Sequence, residues 1–182
     1  MSSKESDEEL IKAAIAGKQE AFRVLVERYE DLVAKTVIGM LGSNQEAEDV
    51  GQEVFIRFYH ALKNYKGEAK LSTYLCRIAI NLSLNALKKK KRRFQFFSSK
   101  DVEETSDVLL TSEEKNNEFK ELVHLALSKI NTEFRAVIVL RSLQAYSVKE
   151  TAEILNIPMG TVMSRQKRGQ EQLRKVLEKF RD

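Results

Sequence analysis

The chain has 182 residues, room for one medium domain or two small ones with real cores, and its single proline and seven glycines favour helix almost throughout. One cysteine and two histidines exclude an internal disulfide and a four-ligand zinc pattern, so Cys76 is expected to be a small core residue. The net charge of +4 is modest but unevenly spread: residues 63–93 carry 10 Lys/Arg against 1 Asp/Glu and residues 159–182 carry 7 against 3, whereas residues 1–62 carry 7 against 12 and residues 94–130 carry 4 against 8.

Two basic zones across an acidic spacer point to two contacts with one polyanion, and the acidic N-terminal part points to a basic protein partner. No apolar run approaches the ~20 residues a membrane helix needs, and the start of the chain is acidic rather than signal-like. A cytoplasmic protein without direct membrane contact is expected.

The first helix is expected to begin near Asp7 or Glu8 and to be interrupted at Gly17. Phe22, Leu25, Val26, Tyr29, Leu32 and Val33 then recur at three- and four-residue steps, one buried face of a helix whose end Gly39 and Gly42 bracket. Ser43 with Glu46 reads as a capping box opening a helix to about Leu62, with Ala47, Val50, Val54 and Phe58 turned inward. Ser72 is placed to cap a third long helix, with Leu75, Ile78, Ala79, Leu82 and Leu87 inside, that runs into the six cations Lys88 to Arg93.

From Ser98 to Asn117 the periodicity is lost, and the stretch reads as a flexible acidic linker with one apolar docking point at Val108-Leu109-Leu110. A helical stripe resumes at Phe119, Leu122, Val123, Ala126, Leu127 and Ile130, breaks at Asn131-Thr132, and returns at Phe134, Val137, Ile138 and Leu140. After a turn at Ala145-Tyr146, Ser147 with Glu150 caps a short helix with Ala152, Ile154 and Leu155 inside. Asn156-Ile157-Pro158 ends it, since proline disfavours helix in the residue before it and suits the start of the next.

The fold expected is all-α: two small helical domains, residues 1–95 and 118–182, joined by a flexible acidic linker over 96–117, the second domain ending in a helix-turn-helix.

Three strips carry chemistry. Glu46, Asp49 and Glu53, with Gln52 beside them, form an acidic ridge edged by Phe55 and Ile56, a combination suited to docking a protein. Arg77, Asn81, Asn85, Lys88 and Arg92 recur on one helix face, and Tyr65, Lys66, Lys70 and Tyr74 interleave rings with cations just upstream, the chemistry that stacks unpaired bases and tracks phosphates. Thr161, Ser164, Arg165, Lys167 and Arg168 follow the turn at helical spacing, hydroxyls and cations suited to a major groove.

No nucleophile–base pair, metal cluster or glycine-rich phosphate loop is present, so neither catalysis nor a cofactor is expected. A helical nuclease or nucleotide hydrolase would need Asp49 and Glu53 to hold metal. The other rival is a stand-alone helix-turn-helix regulator with a partner or ligand domain in front.

Three segments in order resemble the extracytoplasmic-function group of bacterial sigma factors, over about Glu9 to Leu177. Asp49-Val50-Gly51-Gln52-Glu53-Val54-Phe55 is similar to that family's D-x-x-Q-E-V-F signature, Thr73 to Asn81 to its T-W-L-x-x-I-A-x-N segment, and Gly160 to Arg165 to its G-T-V-K/R-S-R segment. The resemblance implies that Asp49, Gln52, Glu53, Phe55 and Ile56 bind core RNA polymerase. It places Tyr65, Lys70, Tyr74, Arg77, Asn81, Asn85, Lys88 and Arg92 at the single-stranded minus-ten region, and Thr161, Ser164, Arg165, Lys167 and Arg168 on minus-thirty-five duplex.

It also implies promoter DNA, duplex and melted, as ligand and an anti-sigma protein as regulator. Departures stand at Tyr74 for a usual Trp, Asn85 for a common Asp, Met163 for a usual Lys or Arg, and Asn131 where proline is frequent.

Overall fold

The computed structural model describes residues 5–97 and 115–180, and every regular element among them is helical. The elements are α1 (Asp7–Ile15), α2 (Gln19–Leu41), α3 (Gln45–Ala61), α4 (Leu71–Phe97), α5 (Lys115–Ser128), α6 (Thr132–Ile138), α7 (Val148–Leu155) and α8 (Met159–Glu178). A 3-10 turn, Leu62–Asn64, follows α3, and a π-helical turn, Val139–Leu143, follows α6. The expected linker docking point, Val108 to Leu110, lies outside the described residues.

Local chemistry sets most boundaries. The Ser6 hydroxyl accepts from the Glu9 N–H at 3.3 Å while the Glu9 carboxylate accepts from the Ser6 N–H at 2.8 Å, a capping box that starts α1. The stretch expected as linker, 96–117, is helical at both ends, where α4 runs to Phe97 and α5 starts at Lys115, and three further boundaries differ from the expectation. Gly39 lies inside α2, and only Gly42, at φ 82°, takes the backbone out of the helix. Asn44 rather than Ser43 caps α3, because Asn44 is the residue in extended backbone and its Oδ1 accepts from the Ala47 N–H at 3.0 Å. Helix α4 already begins at Leu71, so Ser72 sits within its first turn.

Two cores form inside the halves of the chain. In the first, Leu10, Leu25, Val37, Val54, Phe58 and Leu75 from α1 to α4 pack together, each at most 1% exposed. Asp7 fastens α1 to α2 by accepting from the Tyr29 hydroxyl and pairing with Arg28 at 2.5 Å. In the second, Leu127, Ile130 and Ile138 meet Val123, Leu173 and Val176. A Cβ on Gly169 would stand 3.0 Å from Ile138 Cγ1, so glycine is what lets α8 lie this close to α6.

A third core joins the halves. Met40, Cys76 and Ile80 from α2 and α4 pack against Ala136, Val139, Leu140 and Ile154 from α6, the π-helical turn and α7, all of them at most 2% exposed. The approach is closest where a Cβ on Gly39 would fall 2.9 Å from both Val139 methyls. Polar groups stitch this seam beside its apolar residues: Gln144 Nε2 donates to Thr36 Oγ1 at 2.8 Å, and the Cys76 thiol lies 3.3 Å from the Tyr146 hydroxyl and 3.6 Å from Thr36 Oγ1. Burial pushes the Cys76 thiol and the Tyr146 phenol above their ordinary values, so both stay protonated and uncharged.

Arg135 is the buried cation of the structure, 5% exposed, and no carboxylate pairs with it among the described residues. Its guanidinium donates instead to backbone carbonyls: Met40 at 2.6 Å in the last turn of α2, Ser128 at 2.9 Å at the end of α5, and Ile130 at 3.4 Å just beyond. Helix C-termini carry orphan carbonyls and partial negative charge, which this one side chain satisfies for two helices. Arg135→Leu fits the volume but strands those carbonyls, and is expected to cost about 3 kcal/mol in urea-unfolding stability. A loss below about 1 kcal/mol would show that water satisfies them instead.

Candidate nucleic-acid and partner interfaces

On α3 the buried row Ala47, Val54 and Phe58 decides what faces out. At 3.6 residues per turn, Asp49, Gln52, Ile56 and Tyr59 fall on the opposite side as one strip, all exposed, with Ile56 at 51% and Tyr59 at 52%. Glu53 stands on one flank, half-buried, accepting from Arg57 Nε at 2.8 Å. Phe55 stands on the other, half-buried against the first core. Asp49 and Glu53, one turn apart, are neighbours on the outward side of α3, and no group of three potential metal-holding side chains occurs among the described residues. Tyr59 completes the strip and was missed from the sequence, although the spacing 49, 52, 56, 59 continues the same face.

The residues expected at unpaired DNA divide into three groups. Asn81, Asn85, Lys88 and Arg92 form an exposed row along α4. Tyr65 and Tyr74 are half-buried, their rings 5.1 Å apart and both within 6.2 Å of the Phe58 ring, and the Tyr65 hydroxyl folds the loop back by donating to the Ala69 carbonyl at 2.7 Å. Burial raises the Tyr65 phenol above its usual range. Lys70 and Arg77 turn to the second half of the chain. Arg77 donates to the Glu153 carbonyl at 2.6 Å, and Lys70 Nζ lies 3.7 Å from a Glu150 carboxylate oxygen.

The helix-turn-helix is built as the pattern requires. Ser147 and Glu150 satisfy each other's backbone N–H groups at 3.1 and 2.9 Å, and these bonds hold the Glu150 carboxyl below its ordinary pKa. Asn156 takes the left-handed conformation at φ 52°, and Pro158 precedes the first turn of α8. Val162 and Gly169 are the buried side of α8, which leaves Ser164, Lys167 and Arg168 exposed and Thr161 half-exposed. Arg165 behaves differently: its side chain is 25% exposed and pairs with Glu133 at 2.8 Å, bracing α8 against the start of α6. Met159 and Met163 are exposed beside Ser164, at 53% and 56%.

Similarity to known proteins gives this surface its context. Residues 25–93 match the family described as Sigma-70 region 2, and residues 126–175 match Sigma-70, region 4. The chain is 35% identical to the ECF RNA polymerase sigma factor SigW of Bacillus subtilis strain 168, over 92% of this chain and 94% of that one. It is 31% identical to the RNA polymerase sigma-H factor of Pseudomonas aeruginosa, over 98% and 97%. With the ECF RNA polymerase sigma-E factor of Escherichia coli strain K12 it shares 32% identity over 94% of each.

Two solved structures share the fold. CnrH in complex with the cytosolic domain of CnrY superposes with a TM-score of 0.67 at 23% identity, covering 96% of this chain and 98% of that one. The sigma factor RpoE in complex with the anti-sigma factor NepR from Bartonella quintana gives 0.68 at 19%, covering 86% and 96%. Two region matches in the expected order and relatives covered almost end to end leave one assignment: the chain belongs to the ECF group of RNA polymerase sigma factors, non-enzymatic initiation factors that bring core polymerase to promoters.

Proposed function

We propose that the three exposed strips divide the work of this sigma factor: α3 docks on core polymerase, α4 with the loop before it holds the opened minus-ten strand, and α8 reads minus-thirty-five duplex. The carrying observation is the strip Asp49, Gln52, Ile56 and Tyr59, acidic at one end and apolar at the other, on a helix whose opposite side is fully used by the core. On this reading residues 1–95 and 118–182 are the two working domains, 96–117 the connection between them, and the protein acts in the cytoplasm. An anti-sigma protein is a further partner; CnrH and the Bartonella quintana RpoE were each solved with another protein bound, NepR being named as an anti-sigma factor. Asp49→Lys with Glu53→Lys is expected to abolish pull-down of core polymerase while circular dichroism stays helical. Retention at the wild-type level would refute the docking strip.

The closed seam has a geometric consequence. The two promoter elements lie roughly 25 base pairs apart, about 85 Å of duplex at 34–36 Å per turn, whereas α7 packs directly on α4 and Arg77 bonds to Glu153. The closed form cannot reach both elements, so the seam parts when polymerase and promoter bind. Gly39→Cys with Val139→Cys, in a Cys76→Ser background, tests this, because the Cβ atoms would lie about 3.5 Å apart, within disulfide reach. The oxidised protein is expected to lose run-off transcription and the same sample to regain it on reduction; equal activity in both states would show that the seam stays shut.

The two arginines of α8 should separate. Arg168→Ala is expected to weaken binding to the cognate minus-thirty-five duplex by about 1–3 kcal/mol while sparing unrelated duplex. Arg165→Ala, which unties α8 from α6, is expected to lower stability and to weaken binding to both duplexes alike. An Arg168→Ala loss equal on all sequences would make that residue a phosphate contact instead.

A further inference from the structure

The outward side of α8 is not uniformly polar. Met159 and Met163 stand one turn apart and are each more than half exposed, in a domain that otherwise keeps most of its large apolar side chains inside. Polar neighbours surround them: Ser164, Lys167 and Arg168 are exposed on the adjoining rows of the same helix. Gly160 lies on the same surface, and a Cβ built there meets nothing within 4 Å. Nothing inside the protein therefore requires glycine at that position, although glycine weakens a helix relative to alanine. The bare backbone leaves room for a ligand to come close beside Met163.

The flanking cations select a polyanion, and the apolar pair selects an apolar feature on it. In the major groove that feature is the thymine 5-methyl group, the one hydrocarbon group that a base edge presents there. Methionine is unbranched and polarizable, so it moulds to a methyl group without demanding one approach angle. We propose that Met163, backed by Met159, reads a thymine methyl in the minus-thirty-five duplex and so determines specificity at that base pair. This rests on α8 being the reading helix.

The test uses holoenzyme assembled from the full chain and core polymerase, on promoters recovered by run-off transcription from genomic fragments. Each thymine of the minus-thirty-five element, on either strand, is replaced singly by deoxyuridine, which removes the methyl group and nothing else. At one or two neighbouring positions the wild-type holoenzyme is expected to lose about fourfold in binding, the worth of burying one methyl group. Met163→Ala should be blind to the same replacement, Met163→Leu should keep part of the sensitivity, and Met163→Lys should shift preference at that pair toward guanine. Wild-type indifference to every deoxyuridine, undiminished sensitivity in Met163→Ala, or recovered elements without thymine would overturn the proposal. If Lys167→Ala and Arg168→Ala also leave the minus-thirty-five footprint unchanged, the assignment of α8 falls with it; if they weaken the footprint, only the methionine contact is wrong.

Discussion

Arg135 holds the molecule's two halves to one geometry. A guanidinium taken out of water normally demands a carboxylate, and burial depresses the pKa of this one below its ordinary value, yet arginine remains protonated under any working condition. Here the compensation comes from carbonyl dipoles at the ends of α2 and α5, each of which would otherwise be a buried acceptor without a donor. Neighbouring residues on α2 complete the joint. Gly39 admits the Val139 side chain, the Met40 carbonyl takes the guanidinium, and the Met40 side chain enters the shared core. Removing any one of these would leave the other two badly placed, which is the sense in which the seam is cooperative.

The seam mixes a fully buried apolar interior with polar groups, of which Thr36 and Cys76 are buried and Gln144 and Tyr146 half-buried, and that mixture suits the opening proposed above. Thr36, Cys76, Gln144 and Tyr146 satisfy one another in the closed form, so a single docking register is specified. Once separated, the same groups are solvated by water, and opening costs less than parting a purely hydrocarbon face of equal area. None of these four carries charge in the closed state; the buried cation at the seam is Arg135, which opening would part from its Met40 carbonyl.

Much of this was legible in the sequence. The capping signal that proved right, Ser147 with Glu150, is local and depends on nothing beyond four residues. The periodic stripes likewise gave the helices and most of each core, because a face buried along one helix leaves its mark every third or fourth residue. What escaped depends on contacts distant in the chain. Gly39 looked like a terminator, since a sequence does not show that another helix presses against it 100 residues later. Nothing local marks Arg135, whose carbonyl partner at Met40 lies 95 residues away. Ser43 and Asn44 are equally good caps by type, and the choice fell to which one the Gly42 turn left extended. At the interfaces, residue types picked out rows that the fold leaves mostly exposed but not the engagement of individual side chains: Arg77 and Arg165 are cations like their neighbours, and only the fold shows them already engaged.

Helix α7 touches α4 on one side and α8 on the other, and the turn at Asn156 to Pro158 joins it tightly to α8. With α4 and α8 holding DNA as proposed above, their two contacts are linked through one eight-residue element. Linkage is reciprocal: whatever free energy a melted strand contributes to drawing α4 off α7 also raises the affinity with which α8 holds its duplex, by the same factor. On that proposal a weak upstream element would be offset by a readily melted downstream one, and promoter strength on this chain would follow the sum of the two sites rather than either alone.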